Sequence, residues 1–123
     1  MHSGLSRIAI AIGGLSVAAL AFWVTLKILD YREADKIQIV EASYGLSCKA
    51  RAGNVTENVS SACMGKSGTC SYLVETNKIG DPVPFCAKDF SVKWRCGSYE
   101  AVHELILSAE ANGKEIDVSC PAK

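Results

Sequence analysis

The residues with chemistry to offer are six cysteines, Cys48, Cys63, Cys70, Cys86, Cys96 and Cys120. The gaps between them run 14, 6, 15, 9 and 23 residues, and no Cys-x-x-Cys occurs. A structural zinc site needs paired ligands at closer spacing, and the only histidines are His2 and His103. A redox pair of the thioredoxin kind fails on the same missing spacing. No metal and no other cofactor is expected. An even number of cysteines in 123 residues instead implies three disulfides, and with them an oxidising compartment. Nucleophilic catalysis would require a base beside a serine or cysteine. His103 lies in a strand pattern with Glu104 beside it rather than facing it, and no pair of carboxylates stands out. The chain is not expected to be an enzyme. Gly65-Lys66-Ser67 lacks the upstream glycine of a phosphate loop, position 60 being Ser60, and reads as a turn between Cys63 and Cys70. Formal net charge is zero with no basic block, which excludes nucleic acid as a partner. Asn54-Val55-Thr56 and Asn58-Val59-Ser60 are N-glycosylation acceptors in a eukaryotic secretory pathway.

The elements that must hold these cysteines are short. Phe90, Val92, Trp94 and Cys96 alternate with Ser91, Lys93 and Arg95, the period-two pattern of a half-buried strand. Ile37 to Ser43 is a strand candidate rich in β-branched residues. Thr69 to Thr76 is another, followed by a Gly80-Asp81-Pro82-Val83-Pro84 loop whose prolines exclude a central strand. Val102 to Ala109 and Glu115 to Cys120 flank Asn112-Gly113, the strongest short hairpin signal present. Ile116, Val118 and Cys120 share one face of the last strand, so Cys120 points inward.

Ahead of these lies an apolar segment, Ile8 to Leu29, interrupted only by Ser16, Thr25 and Lys27. As a helix at ~1.5 Å per residue it would reach about 33 Å, against a hydrocarbon core of about 30 Å. Arg7 and the small residues around Ala19-Leu20-Ala21 also suit a cleavable signal peptide. The apolar run continues through Phe22 to Leu26, so the segment reads as a transmembrane signal-anchor. Small residues at Ala9/Gly13 and Gly14/Ala18 would allow close approach of another helix. Lysine and arginine counting, Arg7 against Lys27, Arg32 and Lys36, favours a cytoplasmic domain. The cysteines demand the opposite and take precedence. The expected organisation is a cytoplasmic stretch 1–7, a membrane helix 8–29, a juxtamembrane stalk 30–36 and an extracytoplasmic domain 37–123, in the periplasm or outside the cell.

One order of motifs goes further. Ala42-Ser43-Tyr44-Gly45-Leu46, the loop Cys63 to Cys70, Asp81-Pro82-Val83, Lys88-Asp89-Phe90 and the strand Val92 to Cys96 follow one another. This resembles the galactose- and rhamnose-binding egg-lectin domain, the module also found in latrophilin receptors. The resemblance covers Ile37 to about Cys96. It implies a short helix between Asn54 and Cys63, with Thr56 or Asn54 as its N-cap, and a Cys63–Cys70 bond. Cys96–Cys120 would join two inward-facing strand ends, leaving Cys48–Cys86. It also implies that Asp81 and Lys88 meet sugar hydroxyls, with Tyr44 on the pocket wall. The chain departs from the family at Ser43 and Leu46, where the family has Asn and Arg, and in the displacement of the cysteine after Asp-Pro to Cys86. The family's first strand, with its sugar-binding glutamate, has no counterpart, because the apolar segment stands there.

The fold expected is thus mainly β, a small disulfide-stapled antiparallel sandwich with one short helix, preceded by a single transmembrane helix. Two functions follow. One is a membrane-tethered, lectin-like recognition domain for a galactose- or rhamnose-like carbohydrate. The alternative is a non-catalytic accessory subunit of a larger membrane protein complex, its helix docked in the complex and its domain on the outer face.

Overall fold

In the computed structural model, residues 17–28, 35–98 and 101–121 are described. The chain divides into two compact units, Met1–Glu33 and Ala34–Lys123.

In the first unit, residues 17–28 form a helix, α1. Among the described residues no helix is long and apolar enough to cross a membrane. This corrects the expectation of a transmembrane helix over 8–29. The rest of that segment, with the stretch 1–7 and residues 30–34 of the expected stalk, lies outside the described residues. The stalk's last two residues belong to the second unit. Asp35 O accepts from Gly68 N at 3.0 Å, Lys36 O accepts from Gly97 N at 2.7 Å, and Lys36 bridges to Ser67.

The second unit holds two antiparallel sheets. Strands β1 (Ile37–Tyr44), β3 (Phe90–Cys96) and β4 (His103–Leu107) form one, in the order β1-β3-β4. Strands β2 (Thr69–Leu73) and β5 (Glu115–Ser119) form the other. The alternation of β3 is realised: Phe90, Val92, Trp94 and Cys96 are buried, and the residues between them face outward. They meet Cys70 and Tyr72 of β2 and Ile116 and Val118 of β5 in a single core. Tyr72 stacks on Phe90 with centroids 5.8 Å apart, and Trp94 Nε1 donates to Ser119 O at 3.0 Å. The indole thereby satisfies its donor on the opposite sheet while its rings stay dry.

All six cysteines are bonded, as Cys48–Cys86, Cys63–Cys70 and Cys96–Cys120. The first joins the short 3₁₀ turn Leu46–Cys48 to the loop before β3. The second ties helix α2 (Thr56–Cys63) to β2, and the third clamps the end of β3 to the chain leaving β5.

Three local expectations change. A second helical turn, α3 (Thr76–Ile79), follows β2, so the helix in this domain is not single. The N-cap of α2 is Val55, which makes no side-chain capping bond. Asn54 and Thr56 turn instead to the outer edge of β1. Asn54 Oδ1 accepts from Tyr44 N at 2.8 Å, and its Nδ2 donates to Tyr44 O at 2.8 Å. Thr56 Oγ1 accepts from Ala42 N at 2.9 Å. These side chains take the place of a further strand. Finally, Asn112-Gly113 closes no hairpin, because β4 pairs with β3 and β5 with β2. It carries the chain from one sheet to the other: Gly113 N donates to Val74 O at 2.7 Å, and Asn112 Oδ1 accepts from Thr76 N at 2.9 Å.

Candidate functional site

Where β1 ends and β3 begins, Tyr44 pairs with Phe90. Just beyond the pair, Gly45 N donates to Asp89 O at 2.9 Å. Gly45 has φ +89°, and a Cβ there would stand 3.3 Å from both Ala50 Cβ and Lys88 Cγ. The missing side chain gives the Lys88 stem a bed against the backbone. Asp89 holds the other side, accepting from Ser47 N at 2.9 Å and from Ser47 Oγ at 2.8 Å.

Lys88 is buried, only 4% exposed. Buried lysines persist only when the ammonium is paired. Here Nζ donates to Asp81 Oδ1 at 2.8 Å and to Cys86 O at 2.7 Å, and it lies 5.8 Å from the centre of the Tyr44 ring. An ammonium has three N–H donors, so these two bonds leave one for a ligand. The hydrogen bond to Asp81 holds the Lys88 pKa above its ordinary value, outweighing the burial that lowers it.

Glu110, on the connection between β4 and β5, closes the far wall. Its Oε1 accepts from Asn112 N at 3.0 Å and from the Tyr44 hydroxyl at 3.3 Å, and Oε2 accepts from Lys88 N at 3.2 Å. The Asn112 N–H, ahead of the Lys88 N–H and the Tyr44 hydroxyl, holds the Glu110 carboxyl below its ordinary value against the effect of burial. Tyr44 has a single hydroxyl proton and gives it to Glu110, so the 2.8 Å bond to Thr76 Oγ1 has threonine as donor.

The outcome is a cleft of about 390 Å³, within the usual range for small-ligand sites. Asp81, Lys88 and Tyr44 all line it. They come from three separate segments, and the Cys48–Cys86 bond fixes the loop that carries Asp81 towards Lys88. Sequence reasoning missed Thr76, Phe85, Glu110 and Asn112, which line the same cleft. The only sequence signal at Asn112 is the Asn-Gly pair, which marks a turn and not a cleft residue. Only Asn112 N is a near partner of Glu110, two residues on; Lys88 N and the Tyr44 hydroxyl are 22 and 66 residues away. A glutamate from the C-terminal part of the chain therefore lines the cleft with Asp81 and Lys88. Among the described residues no group of three or more His, Cys, Asp and Glu side chains could hold a metal ion.

No protein-family model, curated protein or solved structure matches this chain. The cleft is therefore interpreted from its own groups: one buried ammonium, two carboxylates and a ring of hydroxyl and amide dipoles around a space suited to a small polar molecule.

Proposed function

We propose that the unit Ala34–Lys123 is a non-catalytic carbohydrate-recognition domain working in an oxidising compartment, and that it binds a galactose- or rhamnose-like pyranose in this cleft. The observation that carries the reading is the convergence of Asp81, Lys88 and Tyr44 on one cleft, with Lys88 desolvated and held by Asp81. Vicinal hydroxyls need an acceptor and a donor a few ångströms apart on a rigid rim. One sugar hydroxyl donates to the Asp81 carboxylate while its neighbour accepts from the third N–H of Lys88. The Tyr44 ring, only 1% exposed, forms the wall between them. The resemblance to the egg-lectin family supports the same assignment, and three disulfides support export.

The test is calorimetric titration of the oxidised chain, in a detergent without a sugar headgroup, with galactose and rhamnose. Binding is expected at millimolar sugar or tighter. Asp81→Asn or Lys88→Ala weakens it about ten- to a hundredfold with the fold intact. Absence of heat from a folded, fully bonded domain discards the reading.

A second reading, an accessory subunit of a larger membrane protein complex, is supported by the first unit. Val17, Leu20, Phe22, Trp23 and Val24 of α1 are 57–67% exposed, an apolar surface of the kind partners cover. Co-purification with a stoichiometric complex in mild detergent supports that reading, and isolation as a lone chain counts against it.

A further inference from the structure

Among the described residues of the second unit, every Phe, Tyr and Trp side chain but one is spent on the core. Tyr44, Tyr72, Phe90 and Trp94 are all 6% exposed or less. Phe85 is the opposite case: it lines the cleft, yet its side chain is entirely exposed, at 109% of the reference value. Its backbone is also unusual, with φ +66°. That is a left-handed conformation uncommon for any residue with a side chain and a genuine outlier for a bulky one. A single exposed apolar residue is ordinary. One held in an outlying conformation at the rim of a polar cleft, between Pro84 and the bonded Cys86, calls for a local reason. The ring contributes nothing to the core, and its neighbours on the rim are Asp81, Lys88 and Glu110.

We propose that Phe85 is the stacking platform of the site: its ring lies against the C–H face of the pyranose whose hydroxyls meet Asp81 and Lys88. This deepens, and rests on, the carbohydrate reading above. A pyranose is amphipathic, with hydroxyls at its edge and axial C–H groups on its faces. The electron-rich face of an aromatic ring suits such weakly positive hydrogens. The disulfide at Cys86 and the proline at position 84 restrain the backbone that presents the ring, which lowers the ordering cost of binding. The ligand class narrows accordingly. It is a cyclic hexose or 6-deoxyhexose with one uninterrupted C–H patch, and not an open-chain polyol carrying the same hydroxyls.

The experiment is titration of the full oxidised chain and its Phe85→Ala and Phe85→Trp variants with methyl galactoside, rhamnose and galactitol. Because the side chain supports no core contact, Phe85→Ala is expected to melt and to form its three bonds as the parent does. It should bind both pyranoses about tenfold more weakly, and Phe85→Trp should restore affinity. Saturation of the aromatic protons should transfer to sugar C–H protons more strongly in the parent than in Phe85→Ala, where the Tyr44 ring alone remains in the cleft. Equal affinities for the parent and Phe85→Ala overturn the platform and leave the carbohydrate reading standing. Galactitol binding as tightly as the pyranoses, with no loss in Phe85→Ala, overturns it as well. Absence of pyranose binding by the parent removes both.

Discussion

Glu110 acts at the scale of one residue as the organiser of the cleft, since its two oxygens receive Asn112 N, Lys88 N and the Tyr44 hydroxyl. Its pKa in the folded protein lies below the ordinary 4.5, chiefly through the Asn112 N–H. The ionised group therefore contributes stability above about pH 4.5, and that contribution is lost as pH falls through the folded value. Lys88 has the opposite sign. Its pKa is raised, first by the hydrogen bond to Asp81, so its contribution is complete below pH 10.5 and lost as pH rises through the folded value. Stability from these two groups is thus level across neutral pH. Denaturant titrations at a series of pH values should show an acid limb that is shallower in Glu110→Gln than in the parent; identical limbs refute the role given to Glu110. Gly45 is the second such residue. Gly45→Ala adds a Cβ at φ +89° against the Lys88 stem and is expected to cost about 1–2 kcal/mol of stability. A denaturation midpoint unchanged from the parent contradicts that.

Among the elements, β1 is completed by side chains rather than by a fourth strand. Tyr44 is almost fully buried, and both its backbone polar groups are matched by the Asn54 amide. Asn54→Ala should cost about 2 kcal/mol, since an unmatched buried polar group costs roughly 1–3. Hydrogen exchange at the Tyr44 amide should quicken in the variant. Protection there equal to the parent's, with exchange accelerated only in α2, would restore the helix-cap role read from the sequence. That misreading is instructive, because an asparagine before a helix can serve the helix or a neighbouring strand, and only the tertiary contact decides. Asn112-Gly113 fails in the same way. Its turn chemistry is local, but which strands pair is settled by the core faces of β2 and β3 at long range. The strands themselves were legible, β3 to the residue, because burial on one face writes a period of two into the sequence. Motif order alone singled out Tyr44, Lys88 and Asp81, which line one cleft. Glu110 and Phe85 were not singled out, since a carboxylate made useful by distant partners, or an aromatic made useful by its exposure, looks in sequence like any other. The expected membrane helix rested on apolar composition over 8–29; of that segment 17–28 are described and helical, and no described helix is long and apolar enough to cross a membrane.

At the largest scale, the unit Ala34–Lys123 is a small core held by three covalent staples with different reach. Their sequence separations are 38, 7 and 24, and loop-closure entropy gives roughly 4, 2.5 and 3.5 kcal/mol for Cys48–Cys86, Cys63–Cys70 and Cys96–Cys120. A domain of this size has a surplus of only a few kcal/mol. Paired serine replacements of either long-range bond are expected to unfold it at 37 °C, whereas losing Cys63–Cys70 lowers the melting temperature and leaves the domain folded. Circular dichroism melts rank the three, and equal effects contradict the ordering. The Cys48–Cys86 bond has the further task of joining the turn after β1 to the loop that presents Asp81 and Phe85, so fold and cleft are stabilised together. On the reading proposed above, a pyranose binds in this cleft. This is tested most directly by titrating the isotopically labelled, oxidised protein with rhamnose and following its backbone amide resonances. The Gly45, Cys86, Lys88 and Asn112 amides are expected to shift together, saturate with one dissociation constant, and stay still in Asp81→Asn. Shifts confined to other surfaces, or none at millimolar sugar, contradict it.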